Sequence, residues 1–447
     1  MSEYQDIYIS LPEDSTLNIY RSQGVLCLKG EKVKINKKII DVIHFCLKGY
    51  SLYDAIQQCS THSSDIFIDY SIEVSSGILE LLAENKLISL NRNDKKRNFS
   101  INNEDNVFYP QSLHVELTEK CNQDCYYCYN NSGANLKKTE ISEEMLFPAI
   151  SELSEKGLEV VELTGGEPLL HPNFFNILEF CCKNIKLVSV LTNGTLVDKN
   201  FASRLEKIQN KPVFSISLDS YSELEHERKS RVKGSFKKTT DAIRLLSKEN
   251  FIVRVSMAVD ESNWQHIEKT LLLAQTLGAS KFTYSPIIPV GRAKSESMIH
   301  RIRLQSEEIM NYEQYLMDNY SDFLHVLDKK SQEKLHNSGG CGAGSCTFVM
   351  NSHGDIRMCA TFGNGIIGNV SEKPLKTLFS NPLCLLSSQI TPPSFGLCHN
   401  CRYLSFCSGC FMRATLAISE IDSDKCGWIS NEKTNKEWFS KATHNSI

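Results

Sequence analysis

Cys121, Cys125 and Cys128 stand as C-x3-C-x2-C in the segment LTEKCNQDCYYCYN, three of 17 cysteines in a chain of 447 residues. Thiolates at this spacing can wrap one small inorganic centre, and three of them leave a fourth coordination position open. Two centres suit the donors: an iron–sulfur cubane with one iron lacking a protein ligand, or zinc, whose structural sites want a complete set of four ligands. Eight further cysteines, Cys341, Cys346, Cys359, Cys398, Cys401, Cys407, Cys410 and Cys426, include a C-x2-C-x5-C-x2-C run and suffice for two four-ligand sites. Zinc ribbons would satisfy the same count. The remaining six, Cys27, Cys46, Cys59, Cys181, Cys182 and Cys384, are scattered, and read as small buried hydrophobes.

These donors need a scaffold to hold them. From Ser112 onward six apolar runs, LHVEL, EVVELTGG, KLVSVLTNG, PVFSISLD, IVRVSMAV and KFTYSPII, alternate with amphipathic stretches beginning near Ser142, Pro172, Asp198, Ser235 and Asn263. Strands separated by helices indicate a parallel α/β array, here a partial (β/α)6 barrel rather than a closed eight-fold one. Ligand chemistry in such arrays gathers where strands end, and Cys121, Gly165–Pro168 and Thr192–Gly194 fall just after the first three runs. From about Ser338 the periodicity fades into Gly- and Cys-rich text, which predicts a loop-dominated region held by metal rather than by a large apolar core.

Ahead of the array, GVLCLKG and KVKIN read as strands, followed by helices over KKIIDVIHFCL, SLYDAIQQC after a Ser51 cap, and about Ile72 to Asn85, then a short strand LISLN. That order suggests a winged helix-turn-helix. Asn91–Asn106 is polar and aperiodic, as a linker would be. The boundaries expected are thus a module over 1–92, a linker over 93–108, the barrel over 109–335 and the cysteine-rich domain over 336–447. A net charge of −4 and a third helix carrying Glu73, Glu80 and Glu84 with no Lys or Arg argue against nucleic acid as a partner. No run of apolar residues is long enough for a membrane span and no signal peptide opens the chain, so a cytoplasmic protein with no membrane partner is expected. A cysteine-rich chain in a reducing compartment favours metal ligation over disulfides.

The cysteine segment resembles the C-x3-C-x-aromatic-C signature of the radical S-adenosylmethionine superfamily, with Tyr127 as the aromatic, and TGGEP (Thr164–Pro168) resembles that family's second motif. The resemblance implies a [4Fe–4S] cluster on Cys121, Cys125 and Cys128, S-adenosylmethionine bound to its unique iron, and cofactor contacts from Gly165, Gly166, Glu167, Tyr127 and Ser217, with Asn193 and Asp219 as further candidates. Relatives usually carry Arg four residues before the GSF that starts at Gly234; here that position is Ser230, with Arg231 next along.

The C-terminal cysteines resemble the SPASM extension of radical enzymes that act on peptides. This implies two auxiliary [4Fe–4S] clusters, one on Cys341, Cys346, Cys359 and Cys410 and the other on Cys398, Cys401, Cys407 and Cys426, three clusters in all. The first module resembles the leader-peptide-recognition domain of ribosomal peptide biosynthesis, which works by adding the leader as a strand to a sheet edge. Taken together the chain is similar to the sactisynthase group, and the resemblance implies a maturase that forms thioether crosslinks from Cys residues of a leader-bearing precursor peptide, with an electron donor such as flavodoxin or ferredoxin. Other radical peptide modifications, carbon–carbon crosslinking or formylglycine formation, share these parts, and a regulatory zinc-ribbon protein is the reading from another class.

Overall fold

The structure is a computed structural model and describes residues 7–11, 15–20, 23–28, 31–59, 74–76, 78, 89–91, 99–104, 106–133, 139–295, 307–324, 341–363, 365–399, 401, 403–407, 409–418 and 425–444. It divides into two compact units: Met1–Tyr109 with Glu155–Gly157, and the remainder.

In the first unit, strands β1 (Tyr8–Ser10), β2 (Ser15–Tyr20), β3 (Gln23–Leu28) and β4 (Glu31–Asn36) precede helices α1 (Lys37–Leu47) and α2 (Leu52–Cys59). Strand β5 (Ser89–Asn91) pairs with β1, and β6 (Phe99–Glu104) completes a four-stranded sheet of order β4-β3-β2-β6. Helix α1 buries Ile39, Ile40, Val42, Ile43 and Cys46 along one stripe, against Leu17, Ile19 and Ile35 from the strands. Ser51 caps α2 as expected, its Oγ accepting from Asp54 N at 3.2 Å and donating to the Asp54 carboxylate at 2.8 Å. Of the third helix only 74–76 and 78 are described, with Val74 and Ile78 buried; Glu73, Glu80 and Glu84 lie outside the described residues.

One expectation is corrected here. Residues 99–104, assigned to the linker, form β6 and pair in parallel with all of β2 from Ser15↔Phe99 to Tyr20↔Glu104. FSINNE reads as linker because it lies at the edge of its sheet, where polar side chains are the rule.

In the second unit, β7 (Ser112–Thr118), β8 (Val160–Gly165), β9 (Leu187–Thr192), β10 (Val213–Ser217), β11 (Val253–Val259) and β12 (Lys281–Pro286) lie side by side in chain order, every pair parallel. These are the six predicted runs. Between them lie α3 (Glu143–Glu155), α4 (Phe174–Asn184), α5 (Lys199–Leu205), α6 (Glu223–Ser230), α7 (Ser235–Lys248) and α8 (Ile267–Thr276). Right-handed crossovers in sequential order put the connecting helices on one face, where Leu113, Val161, Phe214, Ile216 and Val255 are buried. The sheet is curved rather than flat. Five strand spacings of about 4.8 Å would hold β7 and β12 some 24 Å apart, yet the loops that follow them meet, with Arg292 N donating to Cys128 O at 3.0 Å.

The cysteine-rich region departs from the loop-dominated expectation. Strand β13 (Thr347–Met350) pairs in parallel with β7, and β14 (Asp355–Arg357) and β15 (Ile366–Asn369) extend the same sheet to nine strands. Beyond them the helices Leu375–Phe379, Pro382–Ser387, Phe411–Ile418, Gly427–Ser430 and Lys433–His444 bury Phe379, Leu383, Phe411, Trp428 and Trp438, so an apolar core is present. Trp428 Nε1 donates to Thr391 O at 2.8 Å and Trp438 Nε1 to Ser387 Oγ at 2.9 Å, which satisfies the polar atoms that two buried indoles bring with them.

Candidate active site

Cys121, Cys125 and Cys128 sit in the loop that follows β7, and the five loops after β8 to β12, at the same end of the sheet, hold it in place. Gly166 N donates to Thr118 O at 2.7 Å and Glu167 N to Lys120 O at 2.8 Å, docking the Gly165–Glu167 turn onto the start of the cysteine loop. A Cβ at Gly166 would come within 2.1 Å of Lys120 O, and one at Gly165, whose φ is +127°, within 2.5 Å of Thr118 O. The glycines are needed for this backbone contact. The buried Glu167 carboxylate, expected as an acceptor for an amino group, accepts from Thr192 Oγ1 at 2.7 Å, Asn193 N at 2.8 Å and Leu169 N at 3.1 Å. It ties the ends of β8 and β9 together, and burial pushes its pKa up to about 7 against those three donors. Asn193 extends the tie, with Nδ2 donating to Asn122 Oδ1 at 2.8 Å inside the cysteine loop.

From the other side, Asp124 N and Tyr126 N donate to the carbonyls of Ser230 and Lys229 at the end of α6. Tyr127 donates to Asp219 just after β10, and Asp219 also accepts from Ala258 N at 2.9 Å. Tyr126 donates to Asp260 after β11. Lys229 runs beneath these rings wholly buried, with its Nζ 2.9 Å from Asp260 Oδ2, 3.2 Å from the Tyr126 hydroxyl and 3.4 Å from Ala258 O. Arg292, after β12, donates Nε to Cys125 O at 2.7 Å and Nη1 to Ser132 O at 2.6 Å. Arg231, the neighbour of the position where relatives carry Arg, adopts a left-handed backbone and reaches Asp124 at 3.3 Å with its side chain half exposed. Ser230 turns inward to Ser235 Oγ at 2.9 Å. Ser217 ends β10 half-buried, aligned with Ser256.

Lys229, Asp260, Arg292 and Asn122 were not singled out from the sequence. Lys229 lies in HERKSR, which reads as a solvated helix face, and Arg292 lies in the turn Gly291–Ser295 beyond β12, outside any motif.

The C-terminal thiols lie in two neighbourhoods. Burial pushes the Cys341 pKa up to about 11, with repulsion from Cys410, Cys359 and Cys346 adding to it. Burial likewise takes Cys407 to about 12, with Cys401, Cys426 and Cys398 adding. Cys46, Cys181, Cys182 and Cys384 are buried and Cys59 partly so, while the Cys27 side chain lies outside the described residues.

The residues fit a cluster. Around the first cysteine loop Gln123 Nε2 and Ser132 Oγ are buried without partners, polar groups that the sulfides and thiolates of a bound cubane would engage. Cys121, pushed up to about 11 by burial, needs a cation beside it to ionise. Among the described residues no three His, Cys, Asp or Glu side chains close on a point as ligands of a single ion do.

Residues 115–274 match the model of the radical SAM superfamily, a span that takes in the three cysteines, Gly165–Glu167, Asn193 and Ser217. The chain is 29% identical, over 95% of its length and 94% of the other's, to the antilisterial bacteriocin subtilosin biosynthesis protein AlbA of Bacillus subtilis. It is 26% identical to the AdoMet-dependent heme synthase of Methanosarcina barkeri, over 70% of this chain and 94% of that one. The crystal structure of Streptococcus suis SuiB bound to precursor peptide SuiA shares the fold, with a TM-score of 0.60 at 16% identity over 94% of this chain and 98% of that one. The likeness to radical S-adenosylmethionine peptide maturases of the sactisynthase type, drawn from the motifs, is borne out.

Proposed function

We propose that this chain, which carries a radical S-adenosylmethionine domain, matures a ribosomally made precursor peptide by forming sulfur-to-carbon crosslinks from its cysteines. The observation that carries the reading is the three-thiol loop after β7, braced by the turns after β8 to β12, at the end of the sheet where ligands bind. The likeness to the subtilosin protein supports a peptide as substrate, since it spans both units of the chain. The heme synthase likeness stops at 70% of the chain.

In this reading Cys121, Cys125 and Cys128 hold a [4Fe–4S] cluster, which with S-adenosylmethionine supplies a 5′-deoxyadenosyl radical able to remove a hydrogen atom from carbon. The chain's own residues do the positioning. Gly165–Glu167 would offer acceptors to the amino group of the cofactor and Ser217 a hydroxyl from β10, while Tyr127 and Asn193 brace the cysteine loop through Asp219 and Asn122. The groups Cys341, Cys346, Cys359, Cys410 and Cys398, Cys401, Cys407, Cys426 hold the two auxiliary clusters of a SPASM region. The first unit acts as a winged helix-turn-helix recognition module, and its four-stranded sheet ends in two edge strands to which an extended leader can add. A flavodoxin or ferredoxin supplies the electron, in the cytoplasm; among the described residues no helix is long and apolar enough to cross a membrane.

The test is coexpression with a Cys-rich open reading frame adjacent to the gene, followed by mass spectrometry. The peptide is expected to lose two hydrogens for each crosslink, with the sulfur shielded from alkylation. An unaltered mass with every thiol alkylated would count against the proposal.

A further inference from the structure

From residue 228 to 238, where α6 ends and α7 begins, six of eleven residues are Lys or Arg and none is Asp or Glu, in a chain whose net charge is −4. Lys229 is buried and tied to Asp260, but Arg228, Arg231, Lys233, Lys237 and Lys238 are exposed. The nearby acids are mostly spent elsewhere. Glu223 and Glu225 lie in the first turn of α6, at the far end of that helix, where Glu225 pairs with Arg228. Glu227 accepts from Gly234 N at 2.6 Å, and Asp241 holds Lys237 and Arg244. Lys233 and Lys238 have no ion-pair partner among the described residues.

This basic segment lies directly against the first cysteine loop. Ser230 O and Lys229 O accept from Asp124 N at 3.1 Å and Tyr126 N at 3.4 Å, so the end of α6 is hydrogen-bonded to the residues on either side of Cys125. Arg231 Nη1 stands 3.3 Å from the Asp124 carboxylate, and Arg292 Nη1 approaches the same carboxylate at 3.5 Å. Lys294, exposed in the turn that carries Arg292, continues the arc. The Arg231 and Asp124 side chains are 52% and 59% exposed, and a pair so open to water leaves the guanidinium free to meet another carboxylate at little cost. The rim of the cysteine loop is therefore positive.

The arc is also on the outer side of the sheet. A Cβ at Gly194 would touch both Ile216 of β10 and Ala242 of α7, so α7 packs on the face to which Ile216 points. Ser217, the next residue of β10, points to the other face, inside the curve. Cofactor and substrate belong inside that curve, and a partner on the arc does not compete with them. Electron transfer falls off steeply with distance, so a donor to the cysteine loop must dock where that loop reaches the surface, and Asp124, next to Cys125, is exposed between the two arginines.

We propose that Arg231, Lys233, Lys238 and Lys294 form the docking surface for an acidic one-electron carrier protein, which reduces the first cysteine loop's cluster from outside the sheet. The inference rests on the reading of that loop as a cluster site. One electron leaves the carrier's reduced group and enters the cluster, and no atom is transferred. A chain of net negative charge repels an acidic protein at long range, so a local positive surface selects the orientation in which the two meet.

The experiment uses the full-length, cluster-loaded enzyme and an acidic flavodoxin as the probe, its hydroquinone mixed with enzyme in a stopped-flow spectrometer and association and flavin oxidation followed separately. The charge-reversed Lys233→Glu with Lys238→Glu is compared with wild type and with Lys183→Glu with Lys186→Glu, two exposed lysines ahead of β9 at the opposite end of the sheet, which change the net charge equally. Reversal at Lys233 and Lys238 is expected to slow association about 10-fold at low ionic strength, and the difference should close near 1 M salt, where charges are screened within about 3 Å. The milder Lys233→Gln with Lys238→Gln should slow it less, in the same direction. With excess dithionite, which needs no docking surface, all the proteins should form 5′-deoxyadenosine alike. Equal association rates for wild type and the reversed pair, or an equal loss in the Lys183 and Lys186 control, overturn the proposal, as does a reversed pair that weakens peptide binding and leaves the carrier unaffected. Failure of the wild type to form 5′-deoxyadenosine with dithionite would instead overturn the reading on which it rests.

Discussion

Lys229 and Asp260 form an ion pair at 2.9 Å in which the lysine side chain is wholly buried, beneath the tyrosines that separate Cys125 from Cys128. The ammonium meets three acceptors, Asp260, the Tyr126 hydroxyl and Ala258 O, which offset part of the cost of burying it. Replacing Lys229 with Met would leave a largely buried carboxylate and the Tyr126 hydroxyl without their cation. A loss of about 3–5 kcal/mol is expected on breaking such a pair, with a shifted cysteine loop and a lower iron content on reconstitution. Urea unfolding and iron analysis check this. The double variant Lys229→Met with Asp260→Asn should recover part of the stability, because it removes the orphaned charge.

Glu167 gives the fold a pH dependence of known sign. Its carboxyl is raised by burial from an ordinary 4.5 to about 7. The folded chain therefore keeps a proton that the unfolded chain releases. The stability so contributed is fully present below about 4.5 and lost as pH rises through about 7. Unfolding free energy measured across this window should fall, and the Glu167→Gln variant, which cannot ionise, should show a flatter profile. It should also be less stable throughout by about 1–3 kcal/mol, since its amide nitrogen would face an N–H donor.

Much of this architecture was legible in the sequence. The six strands of the parallel sheet were, because each is an apolar run buried on at least one face and bounded by amphipathic helix. The cysteine loop and the turn at Gly165 and Gly166 were, because their spacing is short and local. What escaped depends on distant contact. Strand β13 joins β7 from more than two hundred residues away, and nothing in TFVM names its partner. FSINNE carries edge-strand polarity that looks like linker. Lys229 is buried only because Asp260 and two tyrosines surround it, and a helix carrying Glu225, Glu227 and Arg228 gives no sign of that.

Cys346 lies among the neighbours of Cys341, and a Cβ on Gly342, whose φ is +75°, would collide with its sulfur at 2.1 Å. The turn at Gly342 is thus shaped around this thiol. Cys346→Ala is expected to make one cluster labile, lowering iron by about four per chain on the ligand arithmetic of one cubane, while 5′-deoxyadenosine formation without peptide continues. Unchanged iron together with unchanged crosslinking would identify Cys346 as a bystander.

Removing residues 1–105, so that the cut falls after β6 rather than within the sheet of the first unit, should leave cluster content and uncoupled cofactor cleavage largely intact. Modification of a leader-bearing peptide at low concentration should fall sharply, since a tethered leader raises the effective concentration of the core peptide. Equal rates for full-length and truncated enzyme would dissociate the first unit from substrate capture.

The central claim is that the loop after β7 carries a radical-generating cluster. Its most direct test is 5′-deoxyadenosine formation by anaerobically reconstituted protein given S-adenosylmethionine and a strong reductant, with the triple variant Cys121→Ala, Cys125→Ala, Cys128→Ala beside it. The wild type is expected to hold about twelve irons, from one three-cysteine and two four-cysteine sites, and to cleave the cofactor, while the variant should lose about a third of the iron and all cleavage. A triple variant that still forms 5′-deoxyadenosine, or a wild-type protein that reconstitutes with zinc in place of iron and is active on peptide, would contradict the account.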